Sequence, residues 1–101
     1  MSHGDWKQLF LGVQRNDLEM VKYYIDEGVD VNYQHPEYMT SPLIEAIVNN
    51  YPEMVMLLLE NGAAVNLKEA YTGLTPIQIA KSLNYKEIYV LLNERLNTKP
   101  K

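Results

Sequence analysis

Apolar positions recur at helical spacing in short, paired stretches. Leu43, Ala46 and Ile47 mark one helical face, and Ile77 and Ala80 repeat it 34 positions later. Ser41-Pro42 and Thr75-Pro76 open these stretches. Serine and threonine are helix N-cap types, and proline at the first helical position gives up an N–H that has no partner there anyway. Thr75 and Gln78 have the spacing of a capping box. Asp5 with Gln8 offers a similar start near the N-terminus. Asn16, Asn50 and Asn84 fall where a first helix must stop and reverse, and asparagine tolerates the left-handed backbone this needs. Second helices are predicted to start near Asp17, Pro52 and Lys86, each with a glutamate (Glu19, Glu53, Glu87) placed favourably for the helix dipole. Gly28 and Gly62 supply left-handed stops. Each unit is therefore two short antiparallel helices and a loop.

Shifting the chain by 34 aligns it with itself. Gly28-Val29-Asp30-Val31-Asn32 falls on Gly62-Ala63-Ala64-Val65-Asn66, and Glu19-Met20-Val21 on Glu53-Met54-Val55. Tyr51 falls on Tyr85, and Leu57-Leu58 on Leu91-Leu92. Between residues 41–62 and 75–96, eight of 22 positions are identical, and they are positions with structural work to do.

Ser41-Pro42-Leu43-Ile44-Glu45-Ala46, Thr75-Pro76-Ile77-Gln78-Ile79-Ala80, Leu57-Leu58-Leu59 and Gly62-Ala63-Ala64-Val65-Asn66 resemble ankyrin repeats. The resemblance covers about residues 5–96. It implies an all-α solenoid of three helix–turn–helix units joined by β-hairpin-like loops. The units span about 5–37, 38–71 and 72–98, with a flexible tail over 97–101. There are departures. Ile44 and Gln78 stand where the family has histidine, asparagine replaces the turn glycine, and both loops are one residue longer than is common. The end units resemble caps. Lys7-Gln8 replaces the Ser/Thr-Pro pair, Asn93 replaces the third leucine, and Leu96 replaces the glycine. Three units are near the minimum for a continuous core, so deleting residues 69–101 is expected to unfold the remainder.

The chain has 101 residues, 47% of them hydrophobic and 22% charged, which is globular composition for one domain. It has no cysteine, which excludes disulfides, a thiolate zinc site and a cysteine nucleophile. The N-terminus lacks a secretory signal pattern, and the longest apolar run, Met54 to Leu59, is far short of a membrane span. A soluble, intracellular and cytoplasmic protein is expected. The glycines never take phosphate-loop spacing. The two histidines, His3 and His35, read as exposed and solvated rather than as metal ligands. No Gly-x-Ser-x-Gly elbow occurs. No enzyme activity, cofactor or metal is expected.

Charge adds one clue. Residues 17–60 carry nine acids and one base, or −8, while the rest carry four acids and eight bases, or +4. A net charge of −4 without a basic stripe disfavours nucleic acid. The acidic middle suits a basic partner, with Glu37 and Glu45 as its best-placed carboxylates. Ankyrin repeats commonly bind proteins through loop tips and the concave face of the first helices. By register, that resemblance points to Tyr38, Thr40, Glu45, Val48 and Asn49 in unit two. It points to Tyr71, Leu74, Ile79, Ser82 and Leu83 in unit three. In unit one it points to Leu11, Gln14 and Arg15, with Trp6 near the start. Tyr33 and Met39 add loop anchors. The contact set expected to matter most is Trp6, Arg15, Tyr33, Tyr38, Met39, Glu45, Val48, Asn49, Tyr71 and Leu83. Trp6 is equally suited to capping the open end of unit one. Tyr23, Tyr24, Tyr51, Tyr85 and Tyr89 read as packing. The protein is expected to be a monomeric binding module with no membrane partner. The alternatives are a stoichiometric inhibitor of a basic protein, of the immunity or antitoxin kind, and a subunit that self-associates through the same face. Alanine at Tyr38 and Tyr71 is expected to abolish capture with little change in the melt.

Overall fold

The computed structural model describes the backbone of residues 3–97 and the side chains of residues 5–97. Six helices follow in order: α1 His3–Gln14, α2 Leu18–Asp26, α3 Pro42–Val48, α4 Pro52–Glu60, α5 Pro76–Ser82 and α6 Lys86–Asn97. Each odd helix pairs with the next even one. The pairs stack mainly through α1, α3 and α5, which form an inner layer, while α2, α4 and α6 lie outside and pack less closely on one another.

Local chemistry sets the helix ends. Ser41 Oγ accepts from Ile44 N at 3.4 Å, and Asp17 Oδ1 accepts from Met20 N at 3.1 Å. Thr75 has the full reciprocal box. Its Oγ1 accepts from Gln78 N at 3.3 Å, and Gln78 Oε1 accepts from Thr75 N at 2.9 Å. Asn16, Asn50 and Asn84 hold φ of 54°, 60° and 62° where each inner helix reverses. Gly28 and Gly62 end α2 and α4 at φ 96°. Leu96 has no such freedom, and α6 continues through Asn97, twelve residues against nine in α2 and α4. The remaining tail positions, 98–101, lie outside the described residues.

One start differs from expectation. Asp5 lies inside the first turn of α1, which is already helical at His3. Proline bars the preceding residue from helix at Ser41 and Thr75, whereas Lys7-Gln8 imposes no such stop. The upstream extension puts Trp6 on a helix, while its register equivalents Thr40 and Leu74 lie in loops.

The core runs through all three units. Leu9, Val13, Val21, Leu43, Ala46, Ile47, Met54, Val55, Leu58, Ala80, Ile88 and Leu92 are buried. Small residues at one register position, Gly12, Ala46 and Ala80, let the inner helices meet their partners closely. At Gly12 the approach is tight enough that a Cβ there would lie 2.9 Å from Val21 Cγ2.

No strand forms in the connecting loops among the described residues. Side-chain amides join them instead. Asn32 Nδ2 donates to Gly62 O at 3.0 Å, and Asn32 Oδ1 accepts from Ala64 N at 2.8 Å. Gln34 Nε2 donates to Lys68 O and Gln34 Oε1 accepts from Ala70 N, both at 2.8 Å.

Candidate functional site

The N-terminal end of the inner layer is built around Trp6. Its ring stacks on Phe10 at 4.8 Å and on His35 at 5.5 Å, and meets Tyr33 at 5.9 Å and Tyr38 at 5.3 Å edge-on. Only 1% of Trp6 is exposed, and Nε1 has no hydrogen-bond partner. Trp6 therefore presents no contact surface of its own. Its large apolar body seats the first loop against α1. His35 also departs from expectation. It is half-buried among these rings, and Nδ1 accepts from Glu37 N at 3.1 Å.

The first loop presents its tip on this seat. Tyr33 is half-buried. Tyr38 leans edge-on against Trp6 and Phe10 yet keeps 40% of its surface exposed. Met39 is exposed at φ 54°, in the register where the second loop has Gly73 at φ 75°. A left-handed backbone costs a methionine about 1–2 kcal/mol. Lys7 Nζ reaches Glu37 Oε1 at 3.1 Å, tying the loop to α1.

Behind the tip, α3 carries Glu45, Val48 and, at its C-cap, Asn49. Glu45 Oε2 accepts from Asn49 Nδ2 at 3.1 Å and from Gln14 Nε2 at 3.5 Å. Val48 and Asn49 are exposed, as is Arg15 on the turn after α1. Phe10, Gln14, Glu37, Tyr38, Thr40 and Glu45 line an open recess of about 430 Å³. In unit three, Leu83 caps α5 and is exposed, and Tyr71 stands out from the second loop at 78% exposure.

Two register positions expected to be free are buried, Thr40 and Ile79. Thr40 tucks under the extended α1 side of the stack at 9% exposure, and Ile79 joins the core. Tyr24, Tyr51, Tyr85 and Tyr89 pack against the core as expected, but Tyr23 is exposed and meets Tyr24 edge-on at 4.9 Å. Exposed Met56 and Val90 on the outer helices were not singled out by repeat register. They share one register with the exposed Lys22, and that lysine is the sequence signal that the position faces solvent. Among the described residues no group of three or more His, Asp or Glu side chains is placed to hold a metal ion. Among those residues no helix is long and apolar enough to cross a membrane.

The family described as ankyrin repeats, in three copies, matches residues 9–100. A search of curated proteins finds no match. Among solved structures, the chain is similar to the ankyrin repeat domain of Bcl-3, described as a unique member of the IkappaB protein family. The likeness has a TM-score of 0.81 and 30% identity over 85% of this chain. The chain spans 37% of the length of that structure's chain. The repeat, its helix pairs and these matches agree, and the chain belongs to the ankyrin-repeat family.

Proposed function

We propose that the protein is a non-enzymatic interaction module that binds another protein through its loop tips and inner helices. Ankyrin repeats are in general protein–protein interaction scaffolds. One observation carries the reading further. Of the nine large apolar side chains exposed among the described residues, six lie on the loops or the C-terminal ends of α3 and α5: Tyr38, Met39, Val48, Tyr71, Leu74 and Leu83. Exposed apolar side chains concentrated on the loops and inner-helix ends support binding rather than solubility. Met39 adds to this, because a side chain held out on a strained backbone has a local cost that binding would justify.

The acidic segment 17–60 favours a basic partner, and on that reading the module acts by occupying its target stoichiometrically. The absence of cysteine suits a reducing cytoplasm. The test uses the partner once isolated and identified. Val48→Asp with Leu83→Asp should abolish binding while leaving the thermal melt within a few degrees of the parent. Retained binding, or loss on Met56→Asp at the outer layer instead, overturns the assignment. Sedimentation at micromolar concentration tests self-association through the same face, which requires a dimer there.

A further inference from the structure

We propose that the recess between α1, the first loop and α3 is a socket for one arginine side chain of the partner. The proposal rests on the inner-face reading and names the chemistry of the anchor. Its centre is Glu45. At the same register α1 has Leu11 and α5 has Ile79, so a carboxylate replaces an aliphatic side chain in the middle unit. Among the described residues only Glu45 and Glu69 are carboxylates withdrawn from full exposure. Glu69 is used inside its own loop, accepting from Thr72 N and Thr72 Oγ1. Glu45 differs. Gln14 and Asn49 both donate to Oε2, no cation stands within ion-pair distance, and Oε1 accepts no hydrogen bond among the described residues.

A half-buried carboxylate oriented by two neutral amides has lost part of its hydration without gaining a counter-charge. A donor-rich cation completes it. The other walls select the cation. Tyr38 supplies the exposed aromatic surface and is fixed in place by its contacts with Trp6 and the buried Phe10. Thr40 lines the same recess and is nine-tenths buried, with its hydroxyl oxygen closed off from solvent. Glu37 lies at the rim, already paired with Lys7, and adds negative potential. A planar guanidinium stacks on the Tyr38 ring while its fork of N–H donors reaches the Glu45 carboxylate. The compact ammonium of lysine does only one of these at a time.

The probe is the tripeptide acetyl-Gly-Arg-Gly-amide, titrated into the isotope-labelled full chain and followed by NMR. Saturable shifts confined to Phe10, Gln14 and residues 37–49 are expected. The citrulline version, equal in shape but uncharged, should bind at least about tenfold more weakly. Glu45→Gln should weaken the arginine peptide about fivefold or more. Glu45→Ile, which copies unit three at this register, should do the same on a chain that melts no lower than the parent. Shifts spread evenly over Glu19, Glu53, Glu60 and Glu87 would overturn the socket, as would equal binding of the citrulline peptide. Loss of partner binding on Val48→Asp with Leu83→Asp but not on Glu45→Gln removes the socket and keeps the face. A tripeptide that seats at Glu45 beside a partner indifferent to Val48 and Leu83 removes the face reading alone.

Discussion

Met39 and Gly73 stand at one register of the repeat with φ of 54° and 75°, yet the loops around them are held in different ways. The second loop stabilises itself. Glu69 Oε1 accepts from Thr72 N at 3.1 Å and from Thr72 Oγ1 at 2.6 Å, Thr72 Oγ1 accepts from Leu74 N at 3.2 Å, and Glu69 N donates to Leu74 O at 2.8 Å. Glycine takes the left-handed position without strain. Gln34 of the first loop adds bonds to Lys68 O and Ala70 N, and Tyr71 is left exposed. The first loop has backbone bonds from Tyr38 N and Met39 N to His35 O, and methionine where glycine belongs. Its further support comes from α1, through Trp6 and Phe10. A turn with its own chemistry leaves its aromatic free for a partner. A turn with methionine at the left-handed position in place of glycine shares its aromatic with the core.

The comparison breaks most sharply at Trp6. Trp6→Ala should cost about 3–5 kcal/mol in a urea titration, the range for emptying a buried aromatic site. Hydrogen exchange should rise in residues 35–39 well before residues 69–74. Equal exchange in both loops would mean that the first loop does not depend on the aromatic seat. Tyr38→Ala is next, at about 1–2 kcal/mol, because it removes two ring contacts. That differs from the expectation that alanine at Tyr38 and Tyr71 leaves the melt little changed, and the titration decides between them. Met39→Gly should have the opposite sign. Relief of left-handed strain outweighs the added freedom of the unfolded chain, for a gain of about 0.5 kcal/mol. A loss of stability instead would show that the Met39 side chain packs rather than waits. Tyr71→Ala should be smallest, within about 0.5 kcal/mol, and visible only in partner binding.

Most of the fold is legible in the residues. The reversals at Asn16, Asn50 and Asn84, the capping box at Thr75 and the stops at Gly28 and Gly62 are local chemistry, and a local pattern predicts a local outcome. The start of α1 was misread because Asp5 and Gln8 satisfy a spacing that nothing enforces without proline. The candidate site is less legible. Register separates free from packed positions only when the units are alike, and α1 is longer than α3 and α5. That length places Trp6 beside His35 and Tyr38, about 30 residues away, a contact no periodicity encodes. Ile79 fails for a related reason. Leu11 and Glu45 at the same register are only half-buried while Ile79 is buried, so the free position implied by the resemblance does not keep one burial through the stack.

Asn32 and Gln34 lie two residues apart, and each offers the neighbouring loop one donor and one acceptor. Together they imitate the pairing edge of an extended strand with side chains alone. One register on, the same places hold Asn66 and Lys68. Lysine donates but cannot accept, so a further loop laid against that edge meets half a pairing. An edge that both gives and takes hydrogen bonds is a template for endless addition, and a lysine placed on it interrupts the template. The device that stitches units one and two together is thus only partly repeated at the next register.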